Sequence, residues 1–186
     1  MTVSVHPVSG IGAVRPGDDL ATMLFDAIRT AALGPEPGDV LVVTHKVVSK
    51  AEGRIAPAPD DAAYRALVET EAAAVLRRRG DLVIARTQHG FICANAGVDR
   101  SNTGGAGAVL LPLDPDASAH RLRLRIEHAT GVSIGVISTD TLGRAWRRGL
   151  AAVAIGISGV PAILELRGTP DADGRTMHAT EVAVAD

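Results

Sequence analysis

Residues 132–141 read Val-Ser-Ile-Gly-Val-Ile-Ser-Thr-Asp-Thr, an apolar run that ends in three polar side chains. The β-branched residues of Val132–Ser138 predict a strand that runs directly into Thr139-Asp140-Thr141. A helix is predicted just before this strand, over Asp116–Thr130, and Gly131 ends that helix. The stretch therefore joins a regular element of the fold to side chains that can carry chemistry.

The remaining elements are spread along the chain without an internal repeat. Helices are also predicted over Leu20–Arg29, where Asp18 and Asp19 can cap the first turn, and over about Asp60–Arg79. Further strands are predicted over Val40–Thr44, Asp81–Ala85, Val109–Pro112 and Thr180–Val184. The run Val40–Thr44 is β-branched throughout its centre, which predicts a strand buried on both faces.

Helices and strands do not alternate regularly enough for a doubly wound sheet. The prediction is an α+β fold of mixed sheets with packed helices, forming a single domain over residues 1–186.

The composition excludes several classes of function. Hydrophobic residues make up 46% of the 186 residues and charged residues 22%, as in an ordinary globular protein. The 19 basic and 21 acidic side chains give a net charge of −2, so no strong field attracts nucleic acid or an anionic membrane. No apolar stretch reaches the roughly 20 residues that a membrane helix needs, and no signal peptide is recognisable. We therefore expect a cytoplasmic protein that binds neither nucleic acid nor membrane.

Cys93 is the only cysteine, which excludes a disulfide framework and a zinc site of several thiolates. It lies in the apolar run Phe91–Ala94. A buried, inert thiol is the favoured interpretation, and a nucleophile is the alternative.

The first of three polar clusters follows the strand at Val43 and spans residues 44–54. Its charged side chains could bind phosphate groups, with lysine as a compact positive charge. The alternative is a solvated strand with a charged edge. His45 could be a metal ligand, but no second histidine lies at ligand spacing.

The other two clusters span residues 97–105 and 138–144, and each places an aspartate on a predicted glycine-supported loop. Mg²⁺ and Mn²⁺ take one or two protein carboxylates and complete their shell with water and phosphate oxygens. If Asp99 and Asp140 meet at one point, they can hold such a cation. The alternative is that each carboxylate caps its own backbone in an Asx-turn.

Six motifs follow one another along the chain. They are Arg15-Pro16-Gly17-Asp18-Asp19-Leu20, residues 47–54 (VVSKAEGR), Ala96-Gly97-Val98-Asp99 with Ser101-Asn102, residues 111–118 (LPLDPDAS), residues 139–147 (TDTLGRAWR) and residues 180–186 (TEVAVAD). In this order they resemble the coenzyme F420-0:L-glutamate ligase family, in particular its actinobacterial members. The resemblance covers the chain from about His6 to Asp186.

The resemblance implies a GTP-dependent amide ligase that joins L-glutamate to the deazaflavin precursor F420-0 and then adds γ-linked glutamates. GTP would phosphorylate the acceptor carboxylate, and the glutamate amine would attack the acyl phosphate. The implied cofactors are two Mg²⁺ or Mn²⁺ ions, with K⁺ as a further candidate, and the implied assembly is a homodimer.

The resemblance also implies roles for individual residues. Asp99 and Asp140 correspond to the metal carboxylates, and Thr141 to a ligand of a second metal ion. Lys50 and Asn102 correspond to contacts with the nucleotide phosphates, and Lys50 joins the two aspartates as a catalytic residue. Ile11, Gly12, Ala13 and Val14 correspond to a segment that wraps the nucleotide, with His45 close by.

The sequence departs from the family pattern in three places. His45 replaces a smaller or amide-bearing residue, and Leu150-Ala151-Ala152 replaces three polar residues. The family also continues beyond residue 186, so we expect the chain to be incomplete at its C-terminal end relative to the family. We expect the uncovered final strand to drive dimerisation. A related amide ligase acting on another small carboxylate and a non-catalytic scaffold homologue are the alternatives.

Trp146 is the only tryptophan and follows the Asp140 cluster. We expect its indole to pack in the core, with stacking on a deazaflavin ring as the alternative.

Overall fold

The computed structural model describes residues 2–103, 105, 107–144 and 147–186, and it describes Arg144 and Arg147 by their backbone. Trp146, for which core packing was predicted, lies outside the described residues. The helices are α1 (Leu20–Thr30), α2 (His45–Ala51), α3 (Asp61–Glu71) and α4 (Pro115–Thr130). The strands are β1 (Val40–Thr44), β2 (Ile55–Pro57), β3 (Ala72–Arg79), β4 (Leu82–Thr87), β5 (Ile92–Ala94), β6 (Gly107–Val109), β7 (Gly135–Arg144), β8 (Arg147–Ser158), β9 (Ile163–Glu165) and β10 (Glu181–Ala183).

This is the α+β architecture of mixed sheets that the sequence predicted. Three strands form a sheet in the order β1-β7-β8, and β3-β4-β5 form a second sheet. Two further pairs, β2-β6 and β9-β10, are antiparallel. None of the described helices combines the length and apolar composition needed to cross a bilayer.

The β1-β7-β8 sheet carries both kinds of strand pairing. β1 runs parallel to β7 with Thr44 opposite Thr139, and β7 runs antiparallel to β8. Helices α1, α2 and α4 cover this sheet, and their apolar side chains share one hydrophobic core with it. The predicted caps are present, because the Asp19 carboxylate accepts the Thr22 amide and Gly131 ends α4 in a left-handed conformation.

The prediction that β1 is buried on both faces is wrong. Val43 is buried, but Val42 is 60% exposed and Val40 is also exposed. β1 is the edge strand of its sheet and is covered on one face. A β-branched run is typical of a fully buried strand, but it does not reveal which strand lies at an edge.

The structure corrects the helix predicted over about Asp60–Arg79. α3 ends at Glu71, and the chain enters β3 at Ala72. Gly80 and Asp81 then form a two-residue connection to β4, with Gly80 at φ +58°. The residues of β3 are mostly good helix formers, so pairing with β4 overrides their local preference.

The polar cluster at residues 44–54 is largely helical, because α2 spans His45–Ala51. The alternative interpretation of this cluster as a solvated strand is therefore wrong. The chain leaves β1 and turns at once into α2, and the Thr44 hydroxyl accepts the Lys46 amide at 3.4 Å. Asp140 also differs from expectation, because it lies within β7 and not on a loop. Both changes place the predicted site residues on regular elements, which hold side chains more firmly than loops do.

Candidate functional site

Helix α2 presents two rows of polar side chains at the end of β1. His45 and Ser49 form one row and are both buried, whereas Lys46 and Lys50 form the next row and are half-buried. Residues four apart lie on the same face of a helix, so each row points in a single direction. The buried row faces β7 through Asp140, and the lysine row faces residues 99–102.

Lys46 binds the carboxylate of Asp99. Its Nζ lies 2.5 Å from Asp99 Oδ2 and donates to the Ser101 hydroxyl at 2.8 Å. The Ser101 amide and hydroxyl both donate to Asp99, at 2.6 Å and 3.0 Å. Partial burial raises the pKa of Asp99, but the hydrogen bonds from Lys46 and Ser101 outweigh it and hold the pKa below its ordinary value. Asp99 is therefore an ionised carboxylate at neutral pH.

Lys50 joins the same loop one helical turn later. Its Nζ donates to the backbone carbonyl of Asn102 at 2.7 Å. Asn102 has a φ of +58°, and its side chain is exposed. The two residues that the resemblance linked to nucleotide phosphates are thus in direct contact.

His45 lies beside Asp140 because β1 and β7 are parallel. The register pairs Thr44 with Thr139, which brings the next residue of each chain segment together. Nε2 of His45 lies 3.2 Å from Asp140 Oδ1, but the two groups are not aligned for a hydrogen bond. The His45 side chain is 1% exposed and that of Asp140 is 16% exposed. Ser138, two residues before Asp140, is buried and its hydroxyl has no hydrogen-bond partner among the described residues.

Two further residues lie beside Asp140. Thr141 is exposed, and its amide donates to Asp140 Oδ1 at 2.7 Å. Cys93 on β5 is buried. Burial, with a smaller contribution from the Asp140 carboxylate, raises the pKa of Cys93 to about 11. The predicted inert thiol fits this environment, because the thiolate is disfavoured at neutral pH.

The donor set fits a divalent cation held partly by a substrate. No cluster of three or more His, Cys, Asp or Glu side chains arranged to hold a metal occurs among the described residues. Asp99 and Asp140 each contact one of the first two residues of α2, so both carboxylates lie at the same end of this helix. Mg²⁺ is ordinarily bound by one or two carboxylates together with phosphate oxygens and water. That both carboxylates share a cation, or a pair of cations, stays a prediction.

The segment Ile11–Val14 packs against α1. Ile11 and Gly12 line a cleft of about 250 Å³ together with Met23, Asp26 and other residues of α1. Val14 is buried in the core, whereas Ala13 is exposed. We call His45, Lys46, Ser49 and Lys50, together with Asp99–Asn102 and Asp140, the α2 cluster. No hydrogen bond or ion pair between described residues links the segment Ile11–Val14 to the α2 cluster.

Lys46 and Ser101 are not among the predicted site residues, although both lie within the polar clusters. The signal for Lys46 was its spacing of four residues from Lys50. This spacing brings two side chains close together on a helix but not on a strand, and no helix was predicted for residues 44–54.

Comparison with known proteins bears on this site. A family model described as F420-0:Gamma-glutamyl ligase matches residues 10–186. A coenzyme F420:L-glutamate ligase of Methanopyrus kandleri is 41% identical over the whole chain and 78% of its own length. Those of Methanothermobacter thermautotrophicus and Archaeoglobus fulgidus are 38% and 41% identical, again over the whole chain, and are covered over 80% and 79% of their lengths.

Proposed function

Because this chain belongs to the F420-0:gamma-glutamyl ligase family, we propose that it joins L-glutamate to coenzyme F420-0 and then adds γ-linked glutamates, with GTP as the energy source. The observation that supports this proposal is the arrangement around α2. Two lysines face one loop, and two aspartates contact consecutive residues at the start of the helix. Such a set suits a triphosphate with its metal ions.

The chemistry requires activation of a carboxylate. A carboxylate oxygen of the acceptor attacks the γ-phosphorus of GTP, and the bond from that phosphorus to the bridging oxygen breaks to release GDP. The glutamate amine then attacks the acyl carbon, the carbon–oxygen bond to phosphate breaks, and the amine loses a proton to solvent. The products are an amide, GDP and inorganic phosphate.

The residues of the chain divide this work. Lys46 and Lys50 supply positive charge and N–H donors to phosphate oxygens, and the exposed Asn102 amide can add a further donor. Asp99 and Asp140 would hold Mg²⁺ or Mn²⁺ ions. When bound, such ions neutralise the charge that develops on the transferred phosphoryl group. The half-buried site limits competition by water for the same charges.

The proposal is tested by titrating GTP and GDP into the protein with Mn²⁺ in a calorimeter. A parallel reaction with F420-0 and glutamate is analysed by mass spectrometry for glutamyl products. Asp99→Asn should weaken metal-dependent GTP binding by at least about tenfold, because an amide is a poorer ligand for a hard cation. Asp81→Asn is the matched control, since the Asp81 carboxylate is 94% exposed on the β3–β4 connection.

Each alternative predicts a different result. Absence of binding at millimolar GTP would overturn the proposal and favour the non-catalytic scaffold. GTP and metal binding without a glutamyl product of F420-0 would favour the related amide ligase. An exposed Leu150, where the family pattern has a polar residue, is the feature that supports this second candidate.

A further inference from the structure

The Nε2 atom of His45 is buried without a hydrogen-bond partner. It faces Asp140 Oδ1 at 3.2 Å, but the pair is misaligned for a hydrogen bond. An unsatisfied buried polar atom destabilises the folded state, so a folded protein ordinarily supplies a partner. The nearby Ser138 hydroxyl is buried and unpartnered as well.

The separation of the two atoms suits a shared metal ion. Bonds from a transition metal to an imidazole nitrogen and a carboxylate oxygen are each about 2.1 Å long. A distance of 3.2 Å between His45 Nε2 and Asp140 Oδ1 then corresponds to an angle of about 100° at the metal, between octahedral and tetrahedral values. The misalignment that weakens a direct hydrogen bond is no obstacle to this arrangement.

The other ring nitrogen has its own neighbour. Nδ1 of His45 lies 3.5 Å from the Ser49 hydroxyl, one turn along α2 and fully buried. A hydrogen on Nδ1 that points to Ser49 leaves the lone pair on Nε2, which is the atom that faces Asp140. Metal-binding histidines are commonly oriented by such a contact at the second nitrogen.

We propose that His45 Nε2 and Asp140 bind one divalent transition-metal ion together, which makes this site prefer Co²⁺-like ions over Mg²⁺. Imidazole nitrogen suits transition metals, whereas Mg²⁺ favours oxygen ligands. The inference deepens the proposed function, because it concerns the cation of the same site. It also assigns an effect to His45, which stands where the family pattern has a smaller or amide-bearing residue. An amide oxygen at this position would not favour a transition-metal ion over Mg²⁺.

The test measures binding of metal ions alone to metal-free protein. Co²⁺ and Mg²⁺ are titrated calorimetrically into the wild type, His45→Gln and His120→Gln. The glutamine amide can place an oxygen near the position of Nε2, which keeps the shape and removes the nitrogen ligand. His120 is exposed, and its one hydrogen bond among the described residues is with the Ser158 hydroxyl at 3.2 Å, so its substitution is the matched control.

We expect His45→Gln to weaken Co²⁺ binding by at least about tenfold. Removal of a residue that only orients a metal ligand already lowers metal affinity by about tenfold or more, and His45 would be a ligand itself. Mg²⁺ affinity should change by less than about threefold, and His120→Gln should resemble the wild type. Unchanged Co²⁺ affinity in a folded His45→Gln protein, or equal losses for both ions, would overturn the proposal.

A second measurement uses the wild type and does not depend on the variant folding. In the ¹H NMR spectrum, Co²⁺ bound at this site should shift the ring N–H proton of one histidine far downfield of the diamagnetic range. Absence of such a signal at saturating Co²⁺ would also overturn the inference. Ligase activity is measured separately, so glutamyl transfer without a histidine-dependent Co²⁺ site refutes this inference alone. A histidine-dependent Co²⁺ site in a protein that forms no glutamyl product refutes the proposed function alone.

Discussion

Lys46 and Asp99 form the shortest ion pair in the α2 cluster, and both are about a third exposed. A cation that binds Asp99 must compete with the Lys46 ammonium, because both carboxylate oxygens already accept hydrogen bonds from Lys46 or Ser101. A triphosphate, in contrast, would attract Lys46 away from the carboxylate. The same lysine therefore opposes binding of the bare metal ion and favours binding of the nucleotide complex.

Lys46→Met should strengthen Mn²⁺ binding in the absence of nucleotide by up to about fivefold, because a partly exposed ion pair contributes at most about 1 kcal/mol. GTP binding in the presence of Mn²⁺ should weaken. Both affinities are measured by calorimetry, and Lys46→Arg, which keeps the charge, serves as the control. Weaker Mn²⁺ binding by Lys46→Met in the absence of GTP would contradict this account.

Cys93 gives a second prediction for a single side chain. Its pKa is raised to about 11, so at pH 8 about 0.1% is thiolate, compared with roughly a quarter of an ordinary cysteine. Iodoacetamide should therefore alkylate the native protein at least about 100-fold more slowly at pH 8 than the urea-unfolded chain. Cys93 is the only cysteine, so mass spectrometry reports its modification directly. Equal rates in the two states would show that the thiol is accessible.

At the level of elements, the contact between β8 and α4 supports the strand that carries Asp140. Gly156 on β8 faces Pro115 at the start of α4, and a Cβ placed on Gly156 would lie 2.4 Å from the Pro115 backbone. Backbone cannot move aside as a flexible side chain can. The close approach of helix and hairpin therefore requires glycine here.

Gly156→Ala should lower the free energy of unfolding by about 2 kcal/mol or more, in the range of overpacked cores. For a chain of this size that corresponds to a decrease in Tm of roughly 4–8 °C. Gly143→Ala on the neighbouring strand is the control, because no atom of a described residue other than its chain neighbours lies within 4 Å of the added Cβ. Thermal unfolding followed by circular dichroism compares the two variants, and equal Tm values would contradict the packing argument.

At the level of the whole molecule, one face of the paired strands β9 and β10 exposes a patch of three apolar side chains. Leu164, Val182 and Val184 are each between 43% and 47% exposed, and the alternation of side chains along a strand places them on the same face. Leu164 and Val182 are direct partners across the strand pair. Each strand also has an outer edge without a partner strand among the described residues, so a second copy of the chain could extend this two-stranded sheet.

We expect the protein to form a homodimer through this patch, as predicted from the apolar final strand. Light scattering should give a mass that rises with protein concentration towards that of two chains. Leu164→Lys should shift the equilibrium towards the monomer, because a charge would be buried in the interface. Leu124→Lys, at an exposed apolar position on α4, is the control. A wild-type monomer at all concentrations would contradict the prediction.

Local signals were sufficient for much of the fold. The caps of α1 and α4 are determined by Asp19, Asp114 and Gly131, which act on residues within one turn of themselves. The strand character of residues 135–138 follows from the apolar run itself, whereas the continuation of β7 through Asp140 to Arg144 was not predicted. The polar clusters were also recognisable, because so many charged and polar residues rarely lie close together in a segment that has only a structural role.

The sequence by itself determined these local elements, the α+β class and the identity of most residues in the candidate site. Only the tertiary structure decided that residues 72–79 form a strand, because pairing with β4 is a contact that no local propensity records. It also decided that His45 lies beside Asp140, 95 positions further along the chain. The parallel register of β1 and β7 creates this neighbour, and register depends on the packing of the whole sheet and not on the residues that it brings together.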